Sequence, residues 1–269
     1  MEKSFIPADA LDTLRELLHD AQFVEIHPVL EEMRGVKTEH ELELVRYASV
    51  GIIESMEAAF AAAKPGMTKA ELQELFRWEQ TRRGMYFEYA LVAIGNGSMN
   101  RSPNSDVAQR HNAIAGFGRH VQGLPWGSVA DGIDTEPTPR MVSLLDQVET
   151  VQQEARTMVA TGNRGGDIYV KALDTISRLP DGANMKFVAH GMGLITHEVP
   201  RLTATGPVPY PATHADQPLK SGMVLSIESW FEDVETGFIK LEDTLIVTDA
   251  GWAAPGDDAR GWNRAGGRA

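Results

Sequence analysis

This sequence predicts an α+β chain built from two similar halves, and three observations carry that expectation. A helix, break, helix pattern opens at Thr38 and returns about a hundred residues later at Thr138. Each unit is followed by strand-like segments, which points to an internal duplication. Late in the chain, apolar strand-like runs are interrupted by single acids, Glu228 within Gly222–Glu228 and Glu242 within Phe238–Val247.

The elements follow in order. Residues up to about Gly35 read as a short helix, a strand-like Phe23-Val24-Glu25-Ile26 and a second helical piece, too little to build a core. Thr38-Glu39-His40-Glu41 is a capping box: the Thr side chain caps the helix and the Glu reaches back. Leu42, Val45, Ala48, Ile52, Met56, Ala59, Phe60 and Ala63 then recur at three- and four-residue intervals, giving one apolar helix face. Lys64-Pro65-Gly66 ends that helix, and Thr68-Lys69-Ala70-Glu71 caps the next. In the second half a helix is expected from about Thr138 to Ala160, a break at Gly162 to Gly166, and a helix from Asp167 to about Ser177.

Composition narrows the function classes. A length of 269 residues suits one large domain, or one domain with a fragment of another. The net charge of -13 argues against nonspecific nucleic-acid binding, which needs Lys and Arg to neutralise phosphates. The absence of Cys removes disulfides, thiolate nucleophiles and Cys-ligated zinc, so any metal must rest on His and carboxylates. Oxygen-rich sites of that kind suit Mn, Mg or Ca, with Co, Fe or Zn admissible where imidazole joins. The first residues lack the apolar stretch of a signal peptide and nothing later runs apolar for long enough to span a bilayer, so a cytoplasmic protein with no membrane partner is the expectation.

The chemistry concentrates in Val188-Ala189-His190-Gly191-Met192-Gly193-Leu194-Ile195-Thr196-His197-Glu198-Val199-Pro200. It sets two imidazoles and a carboxylate around a glycine-rich turn. Glycine permits close backbone approach, and imidazole is the commonest metal ligand. Taken alone, a Glu in a strand more often faces solvent, and a lone His is more often a structural residue. Two acids facing the inside of a sheet after a His-rich turn are costly unless they share a cation. Other motifs fail: the glycine-rich "GNGSMN" and "GFGRHVQG" lack phosphate-cradle spacing, Ser98 and Ser226 are outside any nucleophile elbow, and the paired His do not form H-E-x-x-H.

With "HGMGLITHEVP", "SGMVLSIES" and "IKLEDTLIVTDAG" in hand, the chain resembles the pita-bread metallopeptidases, the family of methionine aminopeptidase, aminopeptidase P and prolidase, and within it the aminopeptidase P and Xaa-Pro dipeptidase branch. The resemblance runs from about Val36 to Gly251, and the seven-residue spacing from His190 to His197 fits it. It implies a pita-bread fold with pseudo-twofold halves of helices and antiparallel sheet, and the metal site between them. Residues 1–36 would be a remnant of an N-terminal creatinase-type domain, 37–262 the metallopeptidase-like domain and 263–269 a tail. By the same resemblance His190, Glu228 and Glu242 are metal ligands, while His197 and Glu228 are catalytic. Two divalent ions per site are implied, Mn or Co first, with Zn or Fe as alternatives. The substrate would be a peptide or dipeptide, and a homodimer is an analogy only.

The chain also departs from the family. The family uses five protein ligands, the first two being aspartates eleven residues apart on a hairpin that should lie between Asn104 and Glu136. No aspartate pair stands there at that spacing, and the glycines and Pro125 leave no clear strand alternation, so the middle hairpin is expected to be disrupted. Asp131 and Asp134 suit a loop better than a dinuclear site. The family's earlier substrate His is missing from Ile94–Asn104, and His111 and His120 read as incidental. Doubtful metal occupancy and impaired activity follow. A one-base shift through residues 105–135 would allow Asp at the codons of Gly116 and Gly127, with a Tyr-Lys-Gly-Tyr between, so a reading-frame change is one explanation and a true loss of the ligands the other. Two further function classes stay open: a creatinase-like C–N hydrolase that uses a His without metal, and a pita-bread binding module without catalysis.

Overall fold

The computed structural model describes residues 5–64, 66–87, 90–94, 113–119, 125–133, 137–195, 197–203, 212–233, 237–257 and 263–265. Two helices come first, α1 (Ala8–Leu17) and α2 (His27–Gly35). The first half then contains α3 (Glu39–Ala62), α4 (Lys69–Arg82), β1 (Ala90–Ile94), β2 (Ala113–Arg119) and β3 (Pro125–Ile133). The second repeats the order with α5 (Pro139–Arg156), α6 (Asp167–Arg178), a 3-10 turn at Gly182–Asn184, β4 (Met185–Gly191), β5 (Val224–Asp233) and β6 (Gly237–Thr248). Strands β7 (Gly251–Ala253) and β8 (Asn263–Ala265) close the sheets. The duplication suggested by the helix pattern is thus present as two helix, helix, three-strand units.

Local chemistry accounts for the helix starts. Thr38 and Thr68 both form complete capping boxes, with Glu41 and Glu71 respectively, and Thr138 caps α5 through the Met141 N–H. The apolar stripe of α3 is buried along its whole length, from Leu42 to Ala63. Its lower part packs with Leu72 and Phe76 of α4 and Val92 of β1. Its upper part, Leu42, Val45 and Ala48, meets Met192, Val224 and Ile246.

Two four-stranded sheets result, in the orders β1-β2-β3-β8 and β4-β5-β6-β7. In the second, β4, β5 and β6 are consecutive antiparallel neighbours and the side chains divide cleanly between two faces. Phe187, Ala189, Leu225, Ile227, Phe231, Ile239, Leu241, Leu245 and Val247 join α5 and α6 in the larger core. The opposite face holds His190, Ser226, Glu228, Lys240 and Glu242. β2 and β3 also lie against β6.

Three expectations change. Phe23–Ile26 lies in no helix or strand; Val24 and Ile26 are exposed. Residues 263–265, expected in a tail, are β8, paired parallel with β3. The middle hairpin, expected to be disrupted, has β2 paired with β3, and the ladder carries a register shift between Gly116 and Gly118. Backbone pairing does not require side-chain alternation, so glycine-rich segments can still complete a ladder. Among the described residues no helix is long and apolar enough to cross a membrane.

Candidate metal centre

Each site residue is placed by its strand. In the antiparallel register Glu228 of β5 stands directly opposite Glu242 of β6, and Ser226 opposite His190 of β4. Their side chains project from one face, and ligand atoms of His190, Glu228 and Glu242 all lie within 4.8 Å of one another. Glu242 and His190 are buried and Glu228 is half-buried.

The His190 ring is fixed from both sides. Its Nδ1 lies 3.0 Å from the Gly191 carbonyl oxygen, so an Nδ1–H donates there and Nε2 points 3.2 Å from Glu228 Oε1. Such a backbone acceptor commonly orients a metal-ligating imidazole. The strand beneath it is held by Tyr169 of α6, whose hydroxyl donates to the Ala189 carbonyl at 3.1 Å and accepts from the Ala189 N–H at 2.8 Å. Burial and the nearby Glu228 push the Tyr169 phenol up to about 12, so it stays a neutral donor.

The turn after β4 folds back on itself. Gly191 N–H donates to the Pro200 carbonyl at 2.9 Å, and Glu198 N–H to the Gly191 carbonyl at 3.0 Å. A Cβ at Gly191 would collide with the Val199 and Pro200 backbone, which is why only glycine fits. The fold-back stacks His197 on His190, with ring centroids 4.0 Å apart and planes at 30°. His197 is only half-buried and is not in the ligand cluster, as expected for a residue that would face substrate. Glu198, the carboxylate of the same motif, turns away. It is fully buried and pairs with Lys37 Nζ at 2.5 Å, with Arg34 Nε at 3.8 Å. Burial pulls the Lys37 ammonium below its ordinary value against the attraction of Glu198.

Sequence reasoning missed Lys240. It precedes Glu242 by two residues on β6, and so shares its face, and its Nζ lies 2.6 Å from Glu228 Oε2 and 2.8 Å from Glu242 Oε2. Alternation on the strand was the available signal. Burial works against every charge in this cluster, but Lys240 and His190 hold the Glu228 carboxyl well below the usual carboxylate range. Glu242, buried beside the negative Glu228, is pushed up instead. The two glutamates raise Lys240 despite its burial, and Glu228 raises His190 likewise. Ser226 Oγ donates to Glu242 Oε1 at 2.8 Å.

Among the described residues these three ligands are the one His and acid cluster able to hold a cation. Glu242 Oε2 is buried, with the Lys240 ammonium 2.8 Å away. The hairpin that would supply more lies against β6, where Gly116 pairs with Val129 and Gly118 with Trp126. His111, His120 and Asp134 lie outside the described residues, as does most of Ile94–Asn104.

The model of metallopeptidase family M24 matches residues 43–249. The Xaa-Pro dipeptidase of Pyrococcus horikoshii is 21% identical over 260 residues, covering 93% of this chain and 70% of that protein. Among solved structures, the X-Pro aminopeptidase of Thermotoga maritima superposes with a TM-score of 0.82 at 19% identity, over 98% of this chain and 74% of the other. The Xaa-Pro dipeptidase of Bacillus anthracis gives 0.80 at 16% identity, over 98% and 73%. The shared architecture is the pita-bread fold.

Proposed function

Because the chain belongs to metallopeptidase family M24, we propose that its template reaction is hydrolysis of an N-terminal peptide bond followed by proline, in a peptide or dipeptide, at a half-built metal site. The observation that supports this reading is the convergence of His190, Glu228 and Glu242 with His197 stacked alongside. A divalent ion at these ligands, Mn or Co by the donor set, would supply Lewis acidity that polarises the scissile carbonyl and acidifies water. His190 Nε2 and one oxygen from each glutamate would hold it. His197, on the half-buried side, would donate a hydrogen bond to the carbonyl oxygen as negative charge develops there. Glu228 would take the proton from the attacking water. In the present geometry it is a weak base, because Lys240 and His190 hold its charge. Impaired turnover is part of this reading, because no aspartate pair eleven residues apart stands between Asn104 and Glu136; a fold-retaining module without turnover is the second reading.

Turnover of an Xaa-Pro dipeptide and an Xaa-Pro-led peptide by the purified chain, with Mn or Co added, tests the reading. Slow, ion-dependent release of the N-terminal residue that disappears in His197→Asn is expected. Ion-independent turnover would favour the C–N hydrolase reading and overturn this one.

A further inference from the structure

Behind the sheet face that carries the candidate ligands, α5 turns two polar side chains toward β5 and β6. Gln152 and Arg156 stand one helical turn apart, so they share a face of the helix, and both are fully buried. A buried amide is costly unless its hydrogen bonds are made. Gln152 makes two through Nε2, which donates to the Ile227 carbonyl oxygen at 2.9 Å and to Asp243 Oδ2 at 2.8 Å. An amide nitrogen has two N–H donors, and here each goes to a different strand. The reverse orientation of the amide would set its oxygen against two acceptors; as placed, Oε1 makes no hydrogen bond within the protein. Ile227 and Asp243 are register partners, the pair immediately beside Glu228 and Glu242. Arg156 Nη2 adds a contact of 2.8 Å to Asp243 Oδ2 and one of 2.7 Å to Asp257 Oδ1, with its guanidinium 4.6 Å from the Trp252 ring centroid.

We propose that Gln152 is a positioning residue for the metal centre: its amide ties β5 to β6 at the Ile227 and Asp243 pair, and so fixes the separation of the Glu228 and Glu242 carboxylates on the opposite face. The proposal rests on reading those two glutamates as ligands of a divalent ion. Side chains alternate along a strand, so Asp243 points to the helix while its neighbour Glu242 points to the site. A shift of Asp243 away from β5 therefore carries Glu242 with it, and the Ile227 contact puts the same constraint on Glu228. Arg156 holds the shared acceptor from the next turn of α5. A ligand set needs supporting contacts that keep it within about 0.5 Å of its binding geometry. Strands free to part by more than that would no longer present both glutamates to one ion. Ser229 supplies the contrast. It is also buried and also joins α5 to the sheet, its Oγ donating to the Val148 carbonyl at 3.0 Å, but it ties the helix to β5 alone.

Calorimetric titration of the full chain with Mn2+ alone, set beside thermal melts, tests this. Gln152→Met keeps the length of the side chain and removes both donors; its Mn2+ affinity should fall by about tenfold or more, the usual effect of losing a contact that supports a ligand set. Ser229→Ala should also lower the thermal midpoint, yet bind Mn2+ as wild type does. Gln152→Asn retains the amide but is one methylene too short to reach both strands. It should weaken binding as Gln152→Met does, and it carries the test if Gln152→Met does not fold. Wild-type affinity in the Gln152 variants, with a lowered midpoint, would overturn the proposal: Gln152 would then be a packing residue and the ligands would stand. An equal loss of affinity in Ser229→Ala would overturn it as well, because binding would then only follow stability. No Mn2+ binding by wild type would remove the ligand reading, and with it the proposal that rests on it.

Discussion

Tyr169 illustrates how much of the site depends on single contacts that no local pattern announces. Its hydroxyl satisfies both backbone groups of Ala189, one residue before His190. Tyr169→Phe should cost about 1–3 kcal/mol in urea unfolding, the penalty of leaving partly buried backbone groups unpaired. Lys37 and Glu198 are a second case. Their pairing spans 161 residues and pins the segment that carries His197. Lys37→Met would leave the buried Glu198 carboxylate without its main partner, and a loss of about 3–5 kcal/mol is expected by the same method. An unchanged midpoint in either variant would contradict these assignments. His190, Glu228 and Glu242 were legible in the sequence because each interrupts an apolar run in a motif-like setting. Lys240 was legible only through strand alternation, and the partner of Glu198 not at all, because only the folded chain brings α2 and its exit next to the turn.

At the scale of elements, the helices were the most legible part, since capping boxes and apolar periodicity are local. Thr38→Ala should destabilise the protein by about 1 kcal/mol through loss of the α3 cap, measured by thermal or urea unfolding. An effect near zero would mean that tertiary packing alone sets the helix start. Strands were less legible because pairing depends on what stands opposite. Phe23–Ile26 has strand-like residues but forms no strand, whereas β2 and β3 pair despite their glycines. That hairpin bears on the missing aspartates. The register brings Gly116 opposite Val129 and Gly118 opposite Trp126, so Gly116 and Gly127, whose codons a shifted frame would turn into Asp, stand on the two neighbouring strands of this hairpin. Sequencing the gene checks this: a frame able to encode Asp at both codons is expected, and one unable to do so at either would make the loss a property of the protein.

For the whole molecule, the duplication leaves a seam between halves, and among the described residues the candidate ligands all come from the second half. The second half supplies His190, Glu228 and Glu242 from three adjacent strands. Contacts away from the seam hold the second half together. Asp181 receives Arg140 through both oxygens and Gln147 through one, and Arg140 first and Gln147 second hold its carboxyl below the ordinary value of 3.8. A carboxyl lowered on folding adds stability that is fully present above its unfolded pKa and lost as pH falls through the folded one. Asp181→Asn should therefore be less stable than wild type at neutral pH, with the gap closing in strong acid below pH 3.8. A gap that persists there would assign the effect to packing. The central claim is that this member of a metallopeptidase family keeps half a metal site. Titration of the full chain with Co2+, followed by calorimetry, tests it most directly: one weak site that His190→Gln abolishes is the predicted result, and a tight two-ion isotherm would contradict it.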